Sequence, residues 1–431
     1  MTDSSGDGYW ASRWPGEDGG PRRQEIPRSG TGLGIGPGDR LTASSRDAVV
    51  ATMVVLRDPG EVYLLCHTGG DEAISWVERI DAETLEVIQR SVDLPGGKTW
   101  PGGLAAHANG SLYVVFGRHV HRLSPDLEVI GSQALPRDRP YNSFVILPDG
   151  HLATKDFGGA LPAGVTVAAP SEIDGTCELV IVEPDHLRVV ARCVLPESSI
   201  ALLSADGPHI YVVGDEHLMR LDWDGTDLVP DTTFRPRYRT VEGQTYGWDA
   251  VLAGGAAWFL DNGFGSEGYS GTFRGRGASA APLHLVRVDL DTGTVGLTEI
   301  CGAPMGIVAN PPAIDVDRGI VVGYDSGNGV LAAFDIAADP GSPLPRRWTR
   351  EQNHGCHPIL YPDTGELVTA DHDEARMMDQ LVILDIETGH EKARIDTGSP
   401  FQSVVFLAPG FGRDVYYCSM PTISRITVTR D

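Results

Sequence analysis

Short apolar runs, joined in pairs by glycine-containing turns, recur along the whole chain. In "YNSFVILPDGHLATKDFGG", residues 141 to 159, two such runs flank a Pro-Asp-Gly turn. Eight turns of this kind each precede a second run rich in Val, Tyr, Leu and Ile, and their glycines are Gly60, Gly110, Gly150, Gly207, Gly255, Gly319, Gly365 and Gly410. Glycine supplies the positive φ that tight hairpin turns need, so the pattern predicts eight β-hairpins.

A second hairpin usually follows the first, as in "HLVRVDLDTGTVGL" and "QLVILDIETGHEKARI". The turn glycines lie 40 to 64 residues apart, a period typical of propellers and solenoids. Long helical periodicity is absent, which disfavours solenoids that contain helices. The sequence therefore predicts an all-β fold, a single β-propeller of eight four-stranded blades over residues 46–431. Seven blades are the alternative, if the weaker unit at residues 199–232 does not form a blade.

The last unit contains only three predicted strands. Its fourth strand is expected from the N-terminal region, within residues 30–48, because a strand supplied from there would close the ring and leave no exposed edge. Residues 1–45 are rich in Gly, Ser, Pro and charge, and this composition predicts a flexible or peripherally draped tail.

Polar residues end the predicted second strands, at the face of the ring where loops converge and pockets form. They include His67, Lys155, Asp156, Asp261, Asn262, Asp325, Asp371 and His372, while the innermost strands begin on the same face with Asn142, Trp248 and His357. Asp and Asn after a strand commonly cap a turn by bonding nearby backbone amides. His67, Lys155, His357 and His372 are poor turn formers, which favours a shared pocket at this mouth of the channel.

Roles for these residues follow from their chemistry. Imidazoles and carboxylates suit zinc, iron or manganese, whereas clusters of Asp, Asn and carbonyl groups suit calcium or magnesium. The predicted ligands of a divalent metal ion are His67, Asp325, His357 and Asp371. The predicted catalytic residues are Lys155, Asp156 and His372, because a partly buried lysine can have its pKa lowered towards neutrality and transfer protons.

Asn142, Trp248, Asp261 and Asn262 are the predicted substrate-binding residues at the mouth. Arg274 joins them from a glycine-rich insertion between Asn262 and Leu283, where it could meet an anionic ligand. The length of this insertion is compatible either with a mobile flap over the mouth or with a loop of no function.

Charge and cysteine content limit the partners. The formal net charge of -25 argues against binding to nucleic acid or to anionic membranes. The six cysteines form no CxxC pair, and neither an apolar signal core nor a membrane-length apolar run is present. These features predict a cytoplasmic protein that acts on a small molecule, and they leave its oligomeric state open.

The stretch "NSFVILPDGHLATKD" resembles the signature of the gluconolactonase, senescence-marker-protein and strictosidine-synthase-like propellers. In the metal-dependent lactonases of that group, the Asn and Asp of the signature ligate a divalent ion in the channel. The resemblance implies this role for Asn142 and Asp156, with Asp261, Asp325 and Asp371 as repeats of the Asp. The chain departs from the group in blade count, since most members have six, and in lacking an assignable counterpart of their ligating Glu.

The outer hairpins "RVDLDTGTV" and "ILDIETGHE" resemble the D-x-x-T-G turns of eight-bladed quinoprotein propellers, which supports eight blades. The resemblance does not extend to the pyrroloquinoline quinone cofactor. The tryptophan that usually closes each repeat, an adjacent Cys-Cys pair and an export signal are all missing.

Together these features predict an enzyme at the channel mouth that hydrolyses a lactone or ester-type metabolite with metal assistance. The alternatives are a lyase or isomerase of a small oxygenated metabolite, and a non-catalytic propeller that binds a ligand or serves as a scaffold.

Overall fold

Almost all regular structure in the chain is β-strand. The computed structural model describes residues 7–99, 102–157, 175–265 and 269–430, apart from the side chain of residue 142. One short 3-10 helix, Glu17–Gly19, precedes the strands. The strands are β1 (Asp39–Leu56), β2 (Val62–His67), β3 (Ala73–Ile80), β4 (Val87–Arg90), β5 (Leu94–Gly97), β6 (Gly103–Ala106), β7 (Leu112–Phe116), β8 (His119–Leu123), β9 (Val129–Ala134), β10 (Tyr141–Ile146), β11 (Leu152–Asp156), β12 (Cys177–Val182), β13 (Val189–Leu195), β14 (Ser204–Asp206), β15 (His209–Val213), β16 (Leu218–Trp223), β17 (Leu228–Pro230), β18 (Val251–Ala253), β19 (Ala256–Leu260), β20 (His284–Asp289), β21 (Val295–Glu299), β22 (Ala313–Asp315), β23 (Ile320–Asp325), β24 (Val330–Asp335), β25 (Arg346–Glu351), β26 (Ile359–Tyr361), β27 (Glu366–Asp373), β28 (Met378–Asp385), β29 (Glu391–Asp396), β30 (Leu407–Pro409), β31 (Asp414–Cys418) and β32 (Met420–Arg430).

Consecutive strands pair antiparallel into blades. Six separate sheets each contain four strands in chain order, namely β6–β9, β10–β13, β14–β17, β18–β21, β22–β25 and β26–β29. A seventh, eight-stranded sheet runs β30-β31-β32-β1-β2-β3-β4, with β5 beside β3. The weaker unit at residues 199–232 forms its own sheet, β14–β17. The prediction of an all-β propeller is confirmed.

Strand β1 belongs to two blades. Its first half, Asp39 to Asp47, pairs with β32, and its second half, Ala51 to Leu56, pairs with β2. Between the halves the register shifts, and Val50 adopts a φ of 39°. The first half of β1 is therefore the outermost strand of the last blade, as predicted for residues 30–48. The second half is the innermost strand of the first blade, so this one strand closes the ring.

Burial changes from the inner to the outer strands of a blade. Every residue of β7 and β19 is buried, because these strands face neighbouring blades on both sides. In β13, an outer strand, exposed and half-buried residues alternate until Leu195. Apolar side chains of adjacent blades interlock between the sheets, as in the cluster that contains Trp258, Leu331 and Leu384. Burial of such apolar area is the main favourable term in folding.

The N-terminal segment, defined here as residues 7–28, packs inside the ring rather than around it. Trp14 is 2% and Arg23 is 1% exposed. The segment exchanges hydrogen bonds with the innermost strands of six blades, at Leu56, Ala106, Ile146, Ala205, Leu252 and Leu360. Several of these residues end their strands, so the segment lies at the face that carries the hairpin turns. The sequence predicts a flexible or peripherally draped tail over residues 1–45, whereas polar groups of residues 7–28 bond to partners within the channel.

The glycine-rich insertion lies at the other face. Its backbone contacts Gln402 near the start of the last blade: the Gln402 amide donates to the Gly271 carbonyl at 2.8 Å, and the Phe273 amide donates to Gln402 Oε1 at 2.8 Å. The Tyr269 hydroxyl donates to the Gln402 carbonyl at 2.6 Å. The described part of the insertion thus reaches from the blade of β18–β21 to the last blade. None of the described residues forms a helix long and apolar enough to cross a membrane.

Candidate metal centre in the channel

Residues 18 to 25 form a closed loop inside the channel. The Glu25 amide donates to the Asp18 carbonyl at 2.9 Å, which brings two residues seven positions apart side by side. Asp18, Arg23 and Glu25 all have left-handed backbones, with φ of 50°, 53° and 58°. Such conformations are strained for residues other than glycine and persist where surrounding contacts stabilise them.

Contacts of Arg23 account for part of that stabilisation. Its guanidinium bonds to Glu17 at 2.8 Å and to Asp18 at 3.3 Å. It also donates to Ser143 Oγ at 2.6 Å and to the Leu203 carbonyl at 2.7 Å. Charge-assisted hydrogen bonds of this kind are among the strongest in proteins. Arg23 therefore anchors the loop to the blades of β10–β13 and β14–β17.

His357, at the start of the blade of β26–β29, contacts this loop. It precedes β26, and its ring stacks on Phe406 with centroids 4.0 Å apart. His357 Nδ1 lies 2.9 Å from Asp18 Oδ1 and 3.9 Å from Glu25 Oε1. One ligand atom from each of Asp18, Glu25 and His357 lies within 4.8 Å of the others, and all three residues are buried. Two carboxylates and an imidazole at this spacing could hold a divalent metal ion.

The carboxylate of Glu25 has no hydrogen-bond donor among the described residues. Neither of its carboxylate oxygens accepts a hydrogen bond from the described part of the chain, and the residue is 0% exposed. Burial, with Asp18 and Asp249 nearby, raises the pKa of Glu25 well above its usual value. A buried carboxylate without a donor is costly unless it is protonated or binds a cation.

The surroundings of the cluster carry an excess of acid. Glu17 and Asp249 are also buried, and burial raises the pKa of Glu17 to about 7 and that of Asp249 to about 6. Arg23 is the guanidinium that opposes both shifts. Four buried carboxylates around one arginine form an electrostatic environment that favours an additional cation.

Lys155 is buried near the same region. Its ammonium group donates to the Ser199 carbonyl at 3.0 Å and lies 5.4 Å from the centre of the Phe157 ring. Burial lowers its pKa, although Asp156 and Asp249 act in the opposite direction. A lysine whose pKa is lowered in this way releases its proton more readily than an exposed one.

The four aspartates predicted at strand ends all have structural partners. Asp156 accepts from the Glu178 amide at 2.5 Å and from Arg137 and Arg139 at 3.2 and 3.4 Å. The other three also accept a backbone amide and a side-chain donor, with these partners: His284 and Gln244 for Asp261, Ile307 and Asn328 for Asp325, and Asn353 and Arg394 for Asp371. The four amides are 18 to 23 residues away in sequence, so these are long-range contacts rather than turn caps. Asp325 also accepts from the amide of Asn328, three residues on, as the turn-capping interpretation expects. The catalytic and ligand roles given to the four aspartates stay predictions.

His67 and His372 are buried apart from the cluster. His67 Nδ1 lies 2.8 Å from the Thr68 carbonyl, and its ring packs on Phe116. Burial lowers the pKa of His67 to about 4. His372 Nδ1 lies 3.7 Å from Asp379, whose other oxygen accepts from the Tyr417 hydroxyl at 2.6 Å. Of the predicted metal ligands, His357 alone belongs to a close ligand group among the described residues.

Among the described residues, the predicted substrate-binding residues contact different partners and do not form one group. Trp248 is 4% exposed, and the Asn262 side chain donates to the Ala281 carbonyl at 3.0 Å. Arg274 pairs with the exposed Glu351 at 3.0 Å. Asn142 lies in β10, and its side chain falls outside the described part of the structure.

A depression of about 630 Å³ opens at the hairpin-turn face. Its walls come from the N-terminal segment and from the turns after β10 and β14, and they include Asp18, Arg22, Arg28, Pro148 and Asp206. Asp18 therefore contributes both to the metal cluster and to this depression. The volume is within the range of small-molecule sites.

Sequence reasoning missed Asp18 and Glu25 because it assigned them to a tail. Their neighbourhood, "EDGGPRRQE", is polar and has no strand periodicity. One signal for burial was present nearby: three aromatic residues, Tyr9, Trp10 and Trp14, lie within six positions. Aromatic residues are infrequent in disordered segments.

Solved structures share the fold of this chain. No family model matches the sequence, and no curated protein matches it. The quinohemoprotein alcohol dehydrogenase ADHIIG from Pseudomonas putida HK5 is 9% identical, with a TM-score of 0.62 over 98% of this chain and 80% of that chain. The quinohemoprotein alcohol dehydrogenase from Comamonas testosteroni is 12% identical, with a TM-score of 0.59 over 97% and 81%. BamB from Moraxella catarrhalis is 12% identical, with a TM-score of 0.51 over 88% and 100%. At such identities the likeness shows the fold alone, and it shows that this chain is a β-propeller.

Proposed function

We propose that the protein is a divalent-metal-dependent hydrolase of a small lactone or ester, with its centre at Asp18, Glu25 and His357. The observation that supports this proposal is the buried Glu25 carboxylate, which has no donor among the described residues and lies beside a second carboxylate and an imidazole. Such a donor set suits manganese, iron or zinc. Three protein ligands would leave coordination positions for water and substrate, as in catalytic rather than structural sites.

A metal ion in this position would polarise an acyl carbonyl and lower the pKa of a bound water. In hydrolysis the acyl carbon gains the water oxygen, its bond to the alkoxy oxygen breaks, and the alkoxy oxygen takes a proton. Lys155 is the proposed donor of that proton, because burial lowers its pKa and Asp249 is among its electrostatic neighbours. Its bond to the Ser199 carbonyl orients the amine.

Metal analysis combined with turnover tests this function. Protein purified without chelator should contain close to one manganese, iron or zinc per chain, and it should hydrolyse at least one member of a panel of γ- and δ-lactones and short-chain esters. Glu25→Gln keeps the size of the side chain but removes its charge, so it should lose the metal and at least 10²-fold in turnover. Lys155→Met should keep the metal but lose a similar factor in turnover, as is typical of a proton-transfer group.

A matched Glu→Gln variant at another buried carboxylate tests whether the loss of metal is specific to Glu25. Glu197 pairs with His217 and Arg235 and is not a member of the metal cluster. Glu197→Gln should retain metal and turnover. Stoichiometric metal without turnover on any substrate would favour a ligand-binding propeller, and metal-free protein with full turnover would refute the metal-dependent mechanism.

A further inference from the structure

The candidate metal ligands come from two parts of the chain that are far apart in sequence. Asp18 and Glu25 belong to the N-terminal segment, whereas His357 belongs to the seventh blade. An ion bound by all three would therefore link the segment to the wall of the channel. This arrangement differs from a site whose ligands all lie on blade strands, because here binding must depend on where the segment lies.

Besides the bonds of Arg23, the Arg22–Asp206 ion pair and the buried rings of Tyr9 and Trp14, the segment is held by neutral hydrogen bonds. Leu56 donates to the Trp14 carbonyl at 2.8 Å, and Ala205 donates to the Pro21 carbonyl at 2.7 Å. Near its other end, Leu360 donates to the Glu25 carbonyl at 2.9 Å. Individual hydrogen bonds contribute little net stability, because the released segment would bond to water instead.

Two features oppose docking when no cation is present. Three residues of the segment have left-handed backbones, which is unfavourable for non-glycine residues. In addition, docking buries the Glu25 carboxylate without a donor among the described residues and close to Asp18 and Asp249. Like charges brought together in a buried site repel one another. Both penalties apply to the docked segment alone and are absent from a released one.

We propose that a divalent ion at Asp18, Glu25 and His357 fastens the N-terminal segment in the channel, and that loss of the ion releases residues 7–28 from the hairpin-turn face. This proposal rests on the metal site of the proposed function, but not on hydrolysis. Release would remove a wall of the depression at that face, together with two of its three metal ligands. The segment is thus a metal-dependent cover of the channel at that face.

The expected size of the effect follows from mass action. A ligand that binds one state and not the other favours that state by a factor of one plus the ratio of its free concentration to its Kd. At a metal concentration of 100 Kd, the docked segment should gain about 100-fold over the released one.

Limited trypsin digestion of the full-length protein measures this equilibrium. Arg23 is fully buried when the segment is docked, so cleavage of the Arg23–Gln24 bond requires release. Mn²⁺, Zn²⁺ and, under anaerobic conditions, Fe²⁺ would each be added alone to EDTA-treated and dialysed protein, with binding measured by equilibrium dialysis. Cleavage after Arg23, followed by mass spectrometry, should slow by about 100-fold at 100 Kd of the ion that binds.

Variants on each side of the link test its geometry. Glu25→Gln, in the segment, and His357→Asn, in the blade, should each be cleaved at a rate that does not change when the ion is added. His357→Asn leaves the segment sequence unchanged, so it covers the case in which Glu25→Gln disturbs folding. Glu197→Gln, at a carboxylate that is not in the metal cluster, should respond to metal as the unmodified protein does.

The outcomes distinguish this proposal from the proposed function. Metal bound at one per chain with no change in cleavage after Arg23 would overturn metal-dependent docking and leave the hydrolase proposal intact. Slower cleavage with metal, in a protein that hydrolyses no lactone or ester, would support docking and count against hydrolysis. Failure of all three ions to bind would overturn both.

Discussion

The carboxylate of Asp156 connects three parts of its blade. It accepts from the Glu178 amide in the next strand and from the guanidinium groups of Arg137 and Arg139 before β10. Its side chain is fully buried, whereas the two arginines are partly accessible. Burial raises the pKa of Asp156, and the Glu178 amide and both arginines act against that shift. The contacts of this residue therefore stabilise the blade, whatever its part in chemistry.

Asp156→Asn should lower the free energy of unfolding by about 1.5–3 kcal/mol, the usual contribution of a hydrogen bond to a charged group. The amide can accept from Glu178, but it no longer neutralises the arginines. Urea unfolding measures the loss, with Asp126→Asn, at an exposed turn, as the control. A variant as stable as the parent protein would show that these contacts contribute no net stability.

Buried histidines should make the fold sensitive to mild acid. His67 has a pKa of about 4 in the folded chain, against 6.5 when unfolded, because burial disfavours its charged form. Between these values the unfolded chain binds more protons, so stability falls as the pH falls from 6.5 to 4. A difference of about 2.5 pKa units corresponds to about 3 kcal/mol.

His67→Gln cannot titrate, so its free energy of unfolding should decrease less than that of the parent protein across this pH range. Urea titrations at pH 7, 6, 5 and 4 provide the comparison. His186→Gln, at a position with a 74% exposed side chain, is the matched control and should follow the parent curve. Parallel curves for His67→Gln and the parent protein would contradict the assignment.

At the scale of elements, β1 is the strand on which closure depends. A variant that lacks residues 1–48 loses the partner of β32 and exposes that strand along its whole length. Exposed strand edges pair with other chains, so this variant should be insoluble or associated. A variant that lacks residues 1–38 keeps the pairing of β1 with β32 and should remain soluble, although less stable, because Tyr9 and Trp14 are lost. Size-exclusion chromatography compares them, and equal solubility would contradict this role of β1.

The sequence predicts these elements where the pattern is local. Hairpin turns such as Asn109-Gly110 and Asp149-Gly150 have the expected positive φ at glycine, 87° in both cases, and the apolar runs on each side follow from strand geometry. The last unit has only three predicted strands, so the repeat also predicted that an N-terminal strand, β1, would supply the fourth. The N-terminal segment has no such period. Its position depends on long-range contacts, such as Arg23 with Ser143 and Glu25 with Leu360, that no local pattern encodes.

The candidate site likewise combines a residue that a local pattern predicts with residues that only long-range contacts bring there. Strand ends could be located from the repeat, so the sequence predicts His357 as a candidate ligand. Its partners Asp18 and Glu25 could not be found this way, since a propeller repeat carries no information on what fills its channel. The aspartates at the other strand ends share one chemical type with metal ligands, and only their contacts distinguish a cap from a ligand.

At the scale of the whole molecule, the channel is covered from two directions. The N-terminal segment contacts the innermost strands at the hairpin-turn face, and the insertion contacts Gln402 at the opposite face. Neither of these segments is a blade strand. The N-terminal segment also forms part of the wall of the depression beside Arg22 and Asp206.

Closure of the ring also predicts how the molecule unfolds. In open arrays each repeat contacts only its neighbours, and unfolding can begin at a free end. Here β1 joins the first blade to the last within one eight-stranded sheet, so neither blade is a free end. Urea unfolding should then give one transition, with coincident midpoints for far-ultraviolet circular dichroism and for the fluorescence of the tryptophans, which lie between Trp10 and Trp348. Two separated transitions would show that the blades unfold in groups and that the strand shared by both ends does not make the ring a single cooperative unit.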